Sequence, residues 1–126
     1  GPEIVGVAVS RKDEGYEGRC AALANASLAW LGSDVRVTAD DFTVDRGYFE
    51  PGYEQPNEAA NEAIRLLART EGLLTDPVYT GKALAGLLDH IRTGKIRSGE
   101  TVVFWHTGGA TALFAEQAIL GNLADK

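Results

Sequence analysis

Two segments of this chain carry side chains that can do chemistry. One is Asp76-Pro-Val-Tyr-Thr-Gly-Lys-Ala83. The other is Thr101-Val-Val-Phe-Trp-His-Thr-Gly-Gly-Ala-Thr-Ala-Leu-Phe114. In the first, Tyr79 stands just before a run of helix formers. A phenol there can act as acid, base or hydrogen-bond donor. The alternative is an aromatic packed at the helix start, with Thr80 as a simple cap. In the second, an apolar run ends at His106-Thr107-Gly108-Gly109 and turns into helix formers. Backbone amides at such a turn are open to an anion or ligand. The glycine spacing is not the dinucleotide fingerprint, and no P-loop lysine follows. A tight turn that needs positive φ accounts for the glycines equally well.

A third candidate is Tyr53 on the loop Pro51-Gly52-Tyr53. Restricted backbone can aim it into a cleft. Tyr48 and Phe49 are close by, so a plain aromatic cluster competes. Lys82 reads as a solvated first-turn lysine, because nothing nearby in sequence desolvates it. His90 falls on a charged helix face and is expected to be exposed. His106 ends an apolar strand and reads as a structural hydrogen-bonding residue. Asp40, Asp41 and Asp45 lack the spacing of a calcium loop and read as solvated or capping residues. With only two histidines and no suitable cluster, no metal site is expected. Cys20 stands alone among alanines and reads as a small core residue in a reducing, cytoplasmic setting.

Positioning such groups takes a sheet and helices. The apolar fraction of 44% is ordinary for a globular domain, and 126 residues fit one domain. The net charge of −6 argues against a nucleic-acid partner. No apolar run approaches ~18 residues, so no membrane span is expected. The N-terminus lacks a basic-then-apolar signal pattern.

Ile4 to Val9 reads as a buried strand. Ser10 can cap a helix from about Asp13 to Leu31, with Cys20, Leu23, Ala24, Leu28 and Leu31 facing inward and Gly32 ending it. Asp34 to Ala39 reads as an edge strand or extended linker, and Phe42 to Phe49 as a further strand. Asn57 can cap a helix through Glu71 that buries Ala60, Ile64, Leu67 and Leu66, with Gly72 as its stop. A helix from Gly81 to about Thr93 buries Ala83, Leu84, Leu87, Leu88 and Ile91, and Gly94 closes it. Thr101 to His106 is the clearest strand, and Ala110 to Leu120 the last helix. Strands alternating with helices predict an α/β fold with a mostly parallel, helix-flanked sheet.

At these residues the chain resembles the D-cysteine desulfhydrase and 1-aminocyclopropane-1-carboxylate deaminase family. The resemblance rests on Ile4-Val-Gly-Val-Ala-Val-Ser10, Tyr48-Phe-Glu-Pro-Gly-Tyr53, Asp76 through Ala83, and His106-Thr-Gly-Gly109 with Ala112-Leu-Phe114. It implies a pyridoxal-phosphate enzyme of fold type II. The expected architecture is then three-layer, part of the large domain of a tryptophan-synthase-β-like fold. It implies roles by position. Thr107 meets the pyridine nitrogen of the cofactor, with Gly108 and Gly109 beside it. Tyr79 and Tyr53 are the substrate-side catalytic tyrosines. Thr80 and Gly81 line the substrate pocket. The deaminase branch typically has a glutamate after the first tyrosine and a leucine before the glycine pair. Here those positions are Thr80 and Thr107, which favours β-elimination from D-cysteine or a related sulfur amino acid.

The cofactor-bearing lysine and the phosphate loop of the family have no match in this chain. Residues 1–126 are therefore expected to be one partial α/β domain, the C-terminal portion of a longer enzyme. Its partners would be a small amino-acid substrate and the missing N-terminal portion, in what is a homodimer in the family. Covalent cofactor attachment is not expected from these residues. Two alternatives stay open: the deaminase itself, and a non-catalytic α/β binding or assembly module.

Overall fold

The structure, a computed structural model, describes residues 3–116. Two three-residue strands, β1 (Val5–Val7) and β2 (Thr43–Asp45), pair in parallel with Val5 opposite Thr43. Between them runs α1 (Tyr16–Trp30) and a single 3₁₀ turn at Ala39–Asp41. Then follow α2 (Glu58–Glu71), α3 (Thr80–Arg92) and the four-residue α4 (Ala110–Leu113). Parallel pairing with intervening helices is the α/β arrangement expected. Joining parallel strands requires a long crossover, and α1 lies within it.

The core forms where α2 meets α3. Ala63, Leu84 and Ala85 are buried together, with Leu67, Leu87, Leu88 and Phe104 packed around them. Ile64 and Leu113 make a second cluster, which brings α4 onto α2. Two glycines let α3 approach its neighbours closely. A Cβ at Gly81 would lie 2.5 Å from the Asp76 carbonyl and 2.9 Å from Ile64. A Cβ at Gly86 would lie 3.1 Å from the Tyr48 ring and 3.2 Å from Val7.

The helix ends follow the sequence signals for α2. The Asn57 side chain accepts from the Ala60 N–H, and Gly72 ends the helix at a φ of 67°. Its apolar face matches except Leu66, which is exposed. In α3, Leu84 is buried, Ala83, Leu87 and Leu88 are half-buried and Ile91 is exposed, with Gly94 following at a φ of 76°. The cap of α3 differs from expectation. Thr80 is already inside the helix, and Asp76 supplies the cap, as described below.

α1 needs correction. It starts at Tyr16 without a side-chain cap, and Ser10 instead accepts from Lys12. Ala21 is its buried residue; Cys20, Ala24 and Leu28 are half-buried, and Leu23 and Leu31 are exposed. The helix is held by polar ties in place of a full apolar seam. Asn25 bonds both the N–H and the carbonyl of Val37, at 3.0 and 2.8 Å. Arg46 pairs with Glu17 at 2.7 Å. Trp30, at 86% exposed, ends an apolar face that nothing covers among the described residues.

The strand expected at Thr101 to His106 is also corrected. This stretch joins no ladder among the described residues. Phe104 turns into the core, while Val103 and Trp105 are each 82% exposed. The period of two is present, but a strand also needs a neighbour to bond. Residues 34–38 are likewise unpaired, and only Thr43–Asp45 of the expected second strand forms a ladder. Of the last helix, Ala110–Leu113 is seen; residues 117–120 of that expectation lie outside the described residues. No helix among the described residues is long and apolar enough to cross a membrane.

Candidate functional site

Asp76 organises the site, and the sequence reading assigned it no role. It is buried, and both carboxylate oxygens are engaged. Oδ2 accepts from the N–H groups of Val78 and Tyr79, at 2.8 and 2.7 Å. Oδ1 accepts from the Thr80 N–H at 2.9 Å and the Thr80 hydroxyl at 2.6 Å. The Thr80 hydroxyl in turn accepts from the Asp76 N–H at 3.0 Å. This closed ring satisfies the donors at the start of α3 and sets a negative charge at the positive end of the helix. Burial works to raise the Asp76 pKa. The bonds from Thr80, Tyr79 and Val78 outweigh it and hold the carboxyl below its usual value. An aspartate three residues ahead of an aromatic and four ahead of the first helical residue was the available signal.

The cap fixes Tyr79 as the last residue before α3. Across from it, the loop of residues 49–53 brings in Tyr53. The two phenol hydroxyls are hydrogen-bonded to each other. Their rings meet edge to face, with centroids 6.0 Å apart. Both remain 46% exposed, so the pair faces open space. The Tyr79 hydroxyl, with some burial, pushes the Tyr53 phenol up to about 12. Two phenols in series leave one O–H free to donate outward, while the other is used within the pair.

The loop 106–109 sits on the same cap. His106 Nε2 donates to the Leu74 carbonyl at 2.8 Å, and its Nδ1 accepts from the Gly108 N–H at 3.0 Å. The structural role expected for His106 is thus observed. The Gly108 carbonyl lies 3.3 Å from the Thr80 hydroxyl. Gly108 and Gly109 both have positive φ, 102° and 89°. The expectation of open amides at this turn is corrected in part: the Gly108 N–H is taken by His106. Thr107 is exposed, and its hydroxyl makes no hydrogen bond among the described residues.

Gly109 touches Asp76 so closely that a Cβ there would lie 2.6 Å from Oδ1. Gly108 has nothing within 4 Å of the same position. Gly109→Ala therefore combines backbone strain with a clash against a fixed carboxylate, and is expected to cost about 2–3 kcal/mol. Gly108→Ala carries the backbone strain alone, about 1–2 kcal/mol. Urea denaturation of the two variants side by side checks the ranking, and equal midpoints would contradict the Asp76 contact.

Of the residues singled out in the sequence, Tyr53 and Tyr79 are brought into direct contact. Thr107, Gly108 and Gly109 are joined to the start of α3 through Thr80 and Asp76. Thr80 and Gly81, expected to line a substrate pocket, are both buried against Asp76. Two expectations are overturned. Lys82 is not solvated; it is fully buried, and its ammonium donates to the carbonyls of Phe49 and Gly52 at 3.0 and 2.8 Å. His90 is not exposed; it bonds Asp45 at 2.8 Å. The Tyr48 hydroxyl donates to Asp89 at 2.5 Å. Asp41, by contrast, does cap the 3₁₀ turn through Thr38.

The chain has relatives in both sequence and fold. The chain is 48% identical over 113 residues to a D-cysteine desulfhydrase of Yersinia enterocolitica, covering 90% of this chain and 34% of that protein. It is 47% identical to a D-cysteine desulfhydrase of Salmonella typhi, with the same coverage. A crystal structure of an ACC deaminase homologue matches with a TM-score of 0.75 and 33% identity, over 92% of this chain and 34% of that one. The chain thus spans about a third of the length of the proteins it matches. The family of pyridoxal-phosphate dependent enzymes matches residues 1–108, and this chain belongs to it.

Proposed function

We propose that this chain is the C-terminal third of a pyridoxal-phosphate lyase. The reaction is β-elimination from D-cysteine or a related sulfur amino acid, releasing sulfide, ammonia and pyruvate. The observation that carries the reading is the Tyr53–Tyr79 hydroxyl pair, which faces open space, with the 106–109 loop touching the adjacent Thr80. Two hydroxyls from segments 26 residues apart meet at one point. A packing role alone asks only for their rings.

The residues present fit one end of the cofactor. Thr107 offers an exposed hydroxyl, and Gly108 beside it leaves the space clear of any side chain. A neutral hydroxyl can donate to a pyridine nitrogen without forcing it to carry a proton, as a carboxylate would. When bound, the cofactor supplies the electron sink for the substrate's α-carbon. Tyr79 holds a proton where the leaving sulfur departs. Tyr53 orients that hydroxyl and keeps its own proton, consistent with its high pKa. The anchoring lysine and the phosphate cradle belong to the remaining two thirds of the enzyme. Lys82 is unsuited to the first task, because its ammonium is buried and engaged by two carbonyls.

That remaining polypeptide is also the proposed partner of the uncovered apolar surface at Leu23, Trp30, Val103 and Trp105. The whole enzyme is read as a cytoplasmic homodimer, a setting in which the unpaired thiol of Cys20 persists.

The test is an assay of the full-length enzyme on D-cysteine, L-cysteate and aminocyclopropane carboxylate. Sulfide with pyruvate from D-cysteine is the expected result. Sulfite from L-cysteate alone would keep the elimination and change the leaving group. Ammonia from aminocyclopropane carboxylate alone would replace the reading with the deaminase. Turnover of none of the three would overturn it.

A further inference from the structure

Lys82 is placed where a cation is least favoured. It is fully buried, in the first turn of α3, at the positive end of the helix. No carboxylate forms an ion pair with it among the described residues. Burial pulls its pKa below the usual lysine value, against the pull of the Glu50 charge. A methionine would fill the same volume without the desolvation cost. What the ammonium gains is two carbonyls, Phe49 and Gly52, both from the loop that carries Tyr53. The Gly52 carbonyl belongs to the peptide that joins Gly52 to Tyr53.

The spacing on α3 gives this contact a purpose. Lys82 lies three residues after Tyr79, so both fall on one side of the helix start. Tyr79 takes the hydroxyl end of Tyr53, and Lys82 takes the backbone just before it. From the other side, the Asn57 side chain donates to the carbonyls of Tyr48 and Glu50, at 3.2 and 2.8 Å. Four carbonyls between residues 48 and 52 are thus held by two side chains, one from α3 and one at the start of α2.

We propose that Lys82 is a positioning residue, whose ammonium fixes the 49–53 loop so that the Tyr53 hydroxyl meets that of Tyr79. The proposal rests on the reading of those two tyrosines as the substrate-side pair. Its test uses Lys82→Met, Tyr53→Phe and the double variant in the full-length enzyme. Lys82→Met is expected to lower kcat about tenfold or more, with cofactor content unchanged. If Lys82 acts through Tyr53, the double variant is no slower than the slower single variant. A crystal structure of Lys82→Met is expected to show the two hydroxyls beyond hydrogen-bond distance. Leu84→Ala, in the same helix but away from the loop, serves as a control that lowers stability and leaves kcat within twofold.

Additive losses in the double variant, or an unmoved tyrosine pair, would overturn the proposal. Should Lys82→Met not fold, Lys82→Gln, which keeps a donor without the charge, takes its place in the cycle under the same criteria. A Tyr53→Phe enzyme as fast as the unmutated one would instead sink the reading of the tyrosine pair. A slow Tyr53→Phe beside a fast Lys82→Met sinks the Lys82 role alone.

Discussion

Replacing Tyr79 with phenylalanine in the full-length enzyme is expected to lower elimination turnover by about a hundredfold or more. Cofactor content is expected to stay the same. The substitution keeps the ring, so the edge-to-face contact with Tyr53 survives. It keeps the backbone N–H that Asp76 accepts from. Only the hydroxyl is lost, and with it the shared hydrogen bond. A hundredfold loss corresponds to about 2.7 kcal/mol of barrier, the scale of one positioned proton donor. Sulfide release measured beside the cofactor's visible absorbance separates turnover from loading. An unchanged rate removes Tyr79 from the reaction. The same substitution frees Tyr53, whose pKa should drop from about 12 towards the ordinary phenol value.

Asp76→Asn is expected to be the most damaging change to stability, costing about 3 kcal/mol or more. The carboxylate accepts four hydrogen bonds, two on each oxygen. An amide keeps one oxygen and turns an NH₂ group towards two donors. Two buried donors then lose their partner, and two more bonds lose their charge. The effect carries a pH signature. The Asp76 pKa is lowered on folding, so its contribution is complete above the unfolded value of about 4. It fades as pH falls through the folded pKa. Urea midpoints followed from pH 7 down to pH 3 should fall less steeply in Asp76→Asn. Parallel acid limbs in the two proteins would mean that Asp76 is not ionised in the fold.

Much of the helical frame was legible in the chain. Asn57 and Gly72 bound α2 because their effects are local: a side chain reaching three residues on, and a residue free to adopt positive φ. Apart from Leu66 and Ile91, the inward faces of α2 and α3 followed from spacing, because these helices meet each other. α1 shows the opposite case. Its inward face was named from the same kind of spacing, yet Leu23 and Leu31 are exposed because nothing described here covers them. Thr101 to His106 fails for the same reason, since an alternating pattern specifies a strand only when a neighbour is present to bond.

The members of the proposed site could be named from the sequence, and the frame that holds them could not. Tyr53, Tyr79 and Thr107 could be named from residue type, local turn chemistry and family likeness. Asp76, Lys82 and His90 could not, because each acts on a partner that only the fold brings near. Lys82 reaches 30 and 33 residues back, and His90 reaches 45. A charged residue on a helical pattern looks solvated until the loop that buries it is known.

The contact between Gly109 and Asp76 has an evolutionary reading. With a Cβ excluded at 109 by the oxygen at 76, position 109 cannot take a side chain while the carboxylate is kept. A lineage that abandons the carboxylate gains room for a side chain at 109, and one that keeps it must keep the bare backbone. Change is then easier to reach at the exposed Tyr53 and Tyr79 than at this contact.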